Sequence, residues 1–177
     1  MWAYDLFLVG MIVAVFAFAV TFVMHLFLVV PFVPTPRRVV EAMVDAAHLQ
    51  HGEIVYDLGA GDGRLLIAAA RKCPGIVARG CELVPTIWLL ARLRLWASGV
   101  HADIRCRNLF KQPLHDADVI FLYMLPSVME RLERKLDAEL RPDTRVVSHA
   151  FRFPGRTPEH TVALGPEGRP SVHVYRW

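Results

Sequence analysis

The stretch Val55–Ala70, VYDLGAGDGRLLIAAA, decides the fold because a glycine loop joins a short apolar strand to an alanine-rich helix. Gly59, Gly61 and Gly63 occupy alternate positions, and Asp57 stands two residues before the first of them. Glycine at such a turn lets the backbone approach a ligand closely. The pattern therefore predicts a nucleotide-like ligand at the end of this strand.

The loop differs from two familiar phosphate-binding motifs. A dinucleotide fingerprint, Gly-x-Gly-x-x-Gly, needs glycine where this chain has Arg64, and the Gly-Lys-Ser/Thr ending of a P-loop does not occur. The remaining pattern, Asp-x-Gly-x-Gly-x-Gly, suits a ligand with an amino-acid end, because Asp57 would favour a nearby amine. Glu82, about 25 residues further on at the end of the next strand, would accept both hydroxyls of a ribose.

A long uncharged segment occupies the N-terminus, from Leu6 to Val33. About 24 apolar residues rising about 1.5 Å each would cross a hydrocarbon core of about 30 Å. No Lys or Arg precedes the segment and no small-residue cleavage site ends it, so a retained anchor is favoured over a signal peptide. Arg37 and Arg38 follow directly, which predicts an N-terminus outside and the rest of the chain in the cytoplasm.

These observations predict two parts in the chain. Residues 1–33 form a transmembrane anchor that contacts the lipid bilayer through residues 6–33, and residues 34–177 form one domain. The formal charge of +3 is modest and no basic run with interleaved aromatic residues occurs. We therefore expect no nucleic-acid partner.

The domain alternates strand-like and helix-like segments. The predicted strands are EIVYDL, IVARGCEL, DIRCRN, DVIFLYM, TRVVSHAF, TVALG and SVHVYRW, and the last two read as a hairpin across PEGR. The predicted helices begin at Arg64, Pro85 and Ser127, and a further helix precedes them, with Thr35 as its N-cap and an end at His51. This order predicts a doubly wound α/β fold after one transmembrane helix: a mostly parallel seven-strand sheet with a C-terminal antiparallel hairpin.

Three cysteines, Cys73, Cys81 and Cys106, have no metal-binding or redox spacing. We interpret them as buried, reduced thiols and expect no metal site.

The motifs DLGAGDGR, GCEL and NLF resemble those of class I, seven-strand S-adenosylmethionine-dependent methyltransferases. The resemblance covers the whole domain and implies S-adenosylmethionine as cofactor. It assigns Asp57 and the three loop glycines to the methionine moiety and Glu82 to the ribose. Asp62 would either contact the cofactor or cap the following helix. Asn108 replaces the family's usual Asp beside the adenine, and Leu109 and Phe110 would pack near the purine.

A narrower resemblance rests on VPTP, DLGAGDGRLLIAAA, FLYMLPSVMERLERKLDAEL and FRFP. These segments are similar to small membrane-anchored protein-lysine methyltransferases of the adenine nucleotide translocase and ATP synthase c-subunit type. The resemblance implies a lysine of a membrane protein as the methyl acceptor. A lysine amine attacks only when neutral, so the acceptor channel should be apolar and aromatic.

Tyr123 ends the fourth strand, where doubly wound sheets present reactive groups, and we predict it in the catalytic pocket. Phe151 and Phe153, after the fifth strand, would either wall the substrate channel or pack in the core. Ser148 and His149 are adjacent strand residues that point to opposite faces, which disfavours a nucleophile–base pair.

Two other functions fit the same features. One is methylation of a lipid, a quinone or another small membrane-bound acceptor. The other is a membrane-tethered binding module without turnover. The bias towards Arg over Lys and the lack of an Arg-rich presequence favour a prokaryotic plasma membrane over the mitochondrial inner membrane.

Overall fold

The structure is a computed structural model that describes residues 2–27, 33–165 and 171–177. Helix α1 (Trp2–Phe27) comes first, and the side chains described in its first 19 residues are almost all exposed. Its stretch Trp2–Ala19 is long and apolar enough to cross a membrane, by length and composition. The predicted anchor extends further, but residues 28–32 lie outside the described part of the chain.

The remaining elements form one α/β domain. They are α2 (Arg37–Ala46), β1 (Ile54–Leu58), α3 (Arg64–Lys72), β2 (Val77–Glu82), α4 (Pro85–Ser98), β3 (Asp103–Cys106), a 3-10 turn (Leu109–Lys111), β4 (Val119–Leu122), α5 (Pro126–Glu139), β5 (Arg145–His149), β6 (His160–Ala163) and β7 (Ser171–Arg176).

The seven strands form one sheet in the order β3-β2-β1-β4-β5-β7-β6. Strands β1 to β5 run parallel, and β7 is antiparallel to both β5 and β6. The predicted fold class is thus confirmed, and the closing hairpin pairs Val162 with Val172. Residues 166–170 of its connection lie outside the described ranges.

Helices cover both faces of the sheet, because its inner strands are buried on both faces: all of β4 and four of the five residues in each of β1 and β5 are buried. On one face Met43 of α2 and Leu65 of α3 pack in a cluster with Val55 and Phe121. On the other face α5 packs its buried Leu132 against β1 and β4. The chain order reverses at β1, whose neighbours are β2 and β4, so the carboxyl ends of these strands outline a crevice.

Three local predictions were wrong. Helix α2 begins at Arg37 with Pro36 as N-cap and without a side-chain cap, so Thr35 does not cap it. It also ends earlier than His51, because His48 adopts a left-handed φ of 47°. Among the cysteines only Cys81 is buried, whereas Cys73 is half-buried and Cys106 is exposed.

Candidate active site

The glycine loop connects β1 to α3 at the centre of the crevice. Gly59 and Gly63 both have φ of 77°, a left-handed conformation that side chains disfavour. The N–H groups of Gly59 and Ala60 each donate to the carbonyl of Cys81 at 2.9 Å, which fastens the loop to β2. A Cβ on Gly59 would meet the Met124 side chain, so glycine here keeps the backbone close to the β4 end.

Glu82 is buried at the end of β2, and its carboxylate holds two backbone groups. Oε2 accepts from the Gly61 N–H at 3.0 Å, and Oε1 accepts from the Val84 N–H at 2.9 Å. A carboxylate oxygen has two lone pairs, so each oxygen retains capacity to accept from a ligand hydroxyl. Glu82, the predicted ribose partner, therefore lies in the crevice with oxygen lone pairs still available to accept hydrogen bonds.

Asp57 ends β1 with its side chain buried and lining the cavity. Within the described ranges its carboxylate receives no hydrogen bond, which is costly for a buried charge. Burial, and then the negative charges of Glu82 and Asp62, raise the pKa of Asp57 to about 7. A carboxylate of this kind is suited to a cationic ligand group, because an ammonium would supply the missing partner.

Asp62 is also buried, but its carboxylate is already engaged. Arg64 donates to it from Nε at 2.8 Å and from Nη2 at 2.7 Å, and Arg94 of α4 forms a second ion pair. Burial alone would raise the pKa of Asp62, but the hydrogen bonds and charge of Arg64 and the charge of Arg94 outweigh it and lower the pKa. Arg64 also donates to the Thr35 carbonyl, and its backbone N–H donates to Asp62 Oδ1. Asp62 therefore accepts from the first residue of α3, while Gly63 occupies the N-cap position and Asp62 also lines the cavity.

Asn108 follows β3 and caps the 3-10 turn, because its Oδ1 accepts from the Phe110 N–H at 2.9 Å. The side-chain NH₂ is left to donate towards the cavity, which Asn108, Leu109 and Phe110 all line. Arg131 of α5 lies over the Phe110 ring at 4.0 Å from its centroid. Together these groups form a partly apolar wall that suits a purine.

Tyr123 follows β4 directly and is half-buried in the cavity wall. Its ring lies 4.4 Å from that of His149 and 6.4 Å from that of Phe151, centroid to centroid. The His149 Nδ1 lies 3.1 Å from the Ser171 carbonyl, and burial lowers the His149 pKa, which favours a neutral ring. Sequence reasoning missed His149 as a neighbour of Tyr123, because β4–β5 pairing had to be known first.

Phe153 lies elsewhere. Only 3% of it is exposed, and it packs edge-on against Tyr175 and Trp177. Phe153 thus packs in the core, which is one of the two positions that the sequence left open for it. Ser148 and His149 also do not form a pair, since Ser148 Oγ donates to the Phe151 carbonyl.

These groups surround one cavity of about 430 Å³, which is ordinary for a small-molecule site. Nine of the predicted residues line it: Asp57, Gly59, Gly61, Asp62, Glu82, Asn108, Leu109, Phe110 and Tyr123. Gly63, Phe151 and Phe153 are not in the lining. The Asp57 carboxylate, the free acceptor capacity of Glu82 and the wall of Asn108, Leu109 and Phe110 fit the amino, ribose and adenine parts of S-adenosylmethionine.

The model of a known family, described as the ANTKMT methyltransferase domain, matches residues 57–160. The chain belongs to this family. Its members are class I S-adenosylmethionine-dependent methyltransferases, so the predicted cofactor and enzyme class are confirmed.

Curated relatives of the methyltransferase are lysine methyltransferases. The human lysine N-methyltransferase of the ATP synthase c-subunit is 37% identical over 160 residues, covering 88% of this chain and 67% of the relative. A protein-lysine N-methyltransferase of Saccharolobus islandicus is 39% identical over 148 residues, covering 82% and 91%. The mouse adenine nucleotide translocase lysine N-methyltransferase is also 39% identical, covering 82% and 62%.

A solved structure shares the fold of the methyltransferase. It is an RNA methyltransferase from Salinibacter ruber in complex with S-adenosyl-L-homocysteine, with a TM-score of 0.77 and 37% identity over 81% of this chain and 93% of that one. The match confirms the mostly parallel seven-strand sheet and adds a structural neighbour that holds the demethylated cofactor.

Proposed function

We propose that the protein is a membrane-anchored methyltransferase that transfers a methyl group to a lysine side chain of a membrane protein. The observation that carries the proposal is the position of Val33, Pro34 and Thr35. These residues follow the apolar helix α1 and form part of the cavity wall. An active site built partly from the end of an anchor lies at the membrane surface, where membrane-embedded acceptors are concentrated.

The relatives support lysine as the acceptor. The human, archaeal and mouse relatives are all lysine methyltransferases, and two of them are named for membrane-protein targets. The apolar helix is consistent with such targets. We also propose that residues 1–33 are the anchor and that residues 34–177 are the catalytic domain. The N-terminus would lie outside and the active site in the cytoplasm, and we prefer the prokaryotic plasma membrane as the location.

We propose the following roles for the site residues. Asp57 binds the cofactor's ammonium, Glu82 binds its ribose hydroxyls, and Asn108 and Leu109 bind the adenine. Gly59, Gly61 and Gly63 shape the loop against the methionine moiety, and Asp62 holds that loop through Arg64 and Arg94.

When bound, the cofactor supplies a methyl group on a sulfonium, which transfers in line to a nucleophile. The protein's task is then to deliver a neutral, oriented amine. Leu83, Val84 and Val128 add apolar surface to the cavity wall, which would lower the pKa of an entering lysine by desolvation. The Tyr123 hydroxyl accepts a hydrogen bond from the amine and orients its lone pair, and Phe151 supports the Tyr123 ring.

The experiment is an acceptor assay on the full chain. Purified protein and radiolabelled S-adenosylmethionine are incubated with membranes from cells that lack the protein, and lipid, protein and nucleic acid are then separated. We expect label in a discrete, trypsin-sensitive band that yields methyl-lysine after acid hydrolysis. The Glu82→Ala variant, which keeps the membrane helix, is the matched negative control.

Other distributions of label would contradict the proposal. Label that stays in the organic phase after proteolysis would identify a lipid or quinone acceptor. Nuclease-sensitive label would point to RNA, the substrate in the name of the Salinibacter protein. Cofactor binding without any transfer would indicate a binding module.

A further inference from the structure

Helix α4 is apolar on two opposite sides. Its inner side buries Ile87, Ala91 and Leu95 against the sheet. Its outer side exposes Leu89, Leu90, Leu93 and Trp96, at 52%, 44%, 55% and 83% respectively. A helix that is apolar all round is normally enclosed on all sides, so the outer side calls for a partner.

The outer residues form one continuous stripe. Leu89, Leu93 and Trp96 recur at helical spacing, and Leu90 widens the stripe by one position. We call these four residues the outer face of α4. Arg92 and Arg94 border it on its two sides. An apolar stripe that contains tryptophan and has arginine at its borders is typical of helices that lie in the membrane interface.

The stripe begins where the apolar N-terminal helix touches the domain. Thr86, one turn before Leu89 and Leu90, lies with its Oγ1 2.6 Å from that of Thr21 in α1. Thr21 donates to the Ala17 carbonyl, so Thr86 is the donor in this contact. The stretch Trp2–Ala19 is by itself long and apolar enough to cross a membrane, and Thr21 follows it by two residues. The contact therefore places the first turn of α4 beside the part of α1 that follows this stretch.

We propose that the outer face of α4 is a second membrane-contact surface, which lies in the headgroup layer of the leaflet where α1 leaves the bilayer. Leu89, Leu90, Leu93 and the Trp96 ring insert at the boundary between headgroups and acyl chains. Arg92, exposed and stacked 5.4 Å from the Trp88 ring centroid, binds anionic lipid phosphates. The inference rests on the proposed membrane role of α1.

A lipid surface fits this face better than a second copy of the chain. Stable protein interfaces bury about 800 Å² on each partner, usually from 20 to 30 residues. The outer face comprises four side chains on one helix, and it continues an apolar element that already requires lipid. Arg92 at one border also favours an anionic surface over self-association, whereas Arg94 at the other border is paired with Asp62.

The test uses lipid quenching of tryptophan fluorescence in the full chain. The protein is reconstituted in nanodiscs of phosphatidylcholine with roughly a third of phosphatidylglycerol, with or without bromine on the acyl chains. The fluorescence of wild type minus that of Trp96→Phe gives the contribution of Trp96. The fluorescence of wild type minus that of Trp2→Phe gives the contribution of Trp2 in α1. Both residues are more than four-fifths exposed in the structure, so both substitutions should preserve the fold.

We expect brominated lipid to reduce the Trp96 signal by at least half. Leu93→Glu should cancel this reduction while cofactor binding persists, and Arg134→Glu, an exposed change on α5, should leave it unchanged. Quenching of Trp2 without quenching of Trp96 would overturn the α4 proposal and keep the anchor. Quenching of Trp96 without quenching of Trp2 would overturn the proposed anchor alone. If neither tryptophan is quenched, both the anchor and the α4 proposal are overturned. Cross-linking of Trp96 positions between two chains would show self-association instead.

Discussion

The backbone N–H of Gly61 donates to Glu82 Oε2 at 3.0 Å, and this contact ties the glycine loop to the end of the neighbouring strand. The same carboxylate accepts from the Val84 N–H through Oε1. Glu82 therefore shapes the loop and also offers its remaining lone pairs to the ribose. Either role makes the cofactor site sensitive to this residue.

Replacement of Glu82 by Ala should weaken S-adenosylmethionine binding by at least about a hundredfold, since two hydrogen bonds to a charged group are worth about 1.5–3 kcal/mol each. Glu82→Gln should lie between Ala and wild type, because its amide keeps one acceptor oxygen. Titration calorimetry measures both affinities, and circular dichroism checks the fold. Wild-type affinity in a folded Glu82→Ala variant would refute the ribose role.

The buried carboxylate of Asp57 predicts a pH-dependent cofactor affinity. Its pKa is raised to about 7, whereas the cofactor's ammonium needs the ionised form. Below that pH a proton must leave when the cofactor binds, so the dissociation constant should rise about tenfold for each pH unit. Asp57→Asn should bind weakly with a flat profile between pH about 5 and 8. A wild-type profile that is flat over this range would remove Asp57 from the amine site.

Asp57 should also lower the stability of the cofactor-free protein at high pH. Because its folded pKa exceeds its unfolded value of 3.8, the protonated form stabilises the fold. This stability is complete below pH about 4 and is lost as the pH rises through about 7. Asp57→Asn should therefore unfold at a higher temperature than wild type at pH about 8, with no difference near pH 4. Scanning fluorimetry without cofactor measures both, and equal midpoints at the higher pH would contradict the buried, unpaired charge.

The sequence predicted those features that depend on residues close together in the chain. The glycine loop, helix α3 from Arg64 to Lys72 and the carboxylate ends of β1 and β2 follow from local spacing. The spacing from Asp57 also gave Glu82 its ribose role, and the family resemblance then supplied the role of Asn108 beside the adenine. The closing hairpin was predictable because its two strands are neighbours in sequence.

Features that depend on tertiary pairing were not predictable. Arg94 is 32 residues from Asp62, and only the packing of α4 beside the loop brings the two charges together. The same holds for Tyr123 and His149, which meet because β4 and β5 are adjacent in the sheet. Phe153 had two equal interpretations in sequence, and only the final position of Tyr175 and Trp177 distinguished them.

The Tyr123 hydroxyl should matter for methyl transfer and not for cofactor binding. Tyr123→Phe keeps the ring that packs near His149 and Phe151 but removes the hydrogen-bond acceptor. We expect a decrease in the single-turnover rate of about ten- to a hundredfold, because the amine gains positive charge as the methyl bond forms and a hydrogen bond to a charged group is worth about 1.5–3 kcal/mol. The dissociation constant of S-adenosylmethionine should not change. An unaltered rate would place the amine elsewhere, and weaker cofactor binding would assign Tyr123 to the cofactor instead.

Cys106 offers a direct test of the orientation in the membrane. Of the three cysteines it is the exposed one, whereas Cys81 is buried and its pKa is raised to about 12, so that it stays a protonated thiol. Burial and the nearby Glu82 raise the Cys106 pKa as well, so labelling needs a pH of about 8 or higher. A membrane-impermeant maleimide should then label inverted membrane vesicles and spare intact cells.

The matched control is Cys106→Ser, which should lose most of the label in inverted vesicles and leave only slow reaction at the half-buried Cys73. Both residues lie in the same domain, so label at either one reports the same side of the membrane. Labelling of intact cells would place the active site outside, because Cys106 ends β3 directly before the adenine wall at Asn108. That result would reverse the orientation that Arg37 and Arg38 predict and would require an external supply of cofactor.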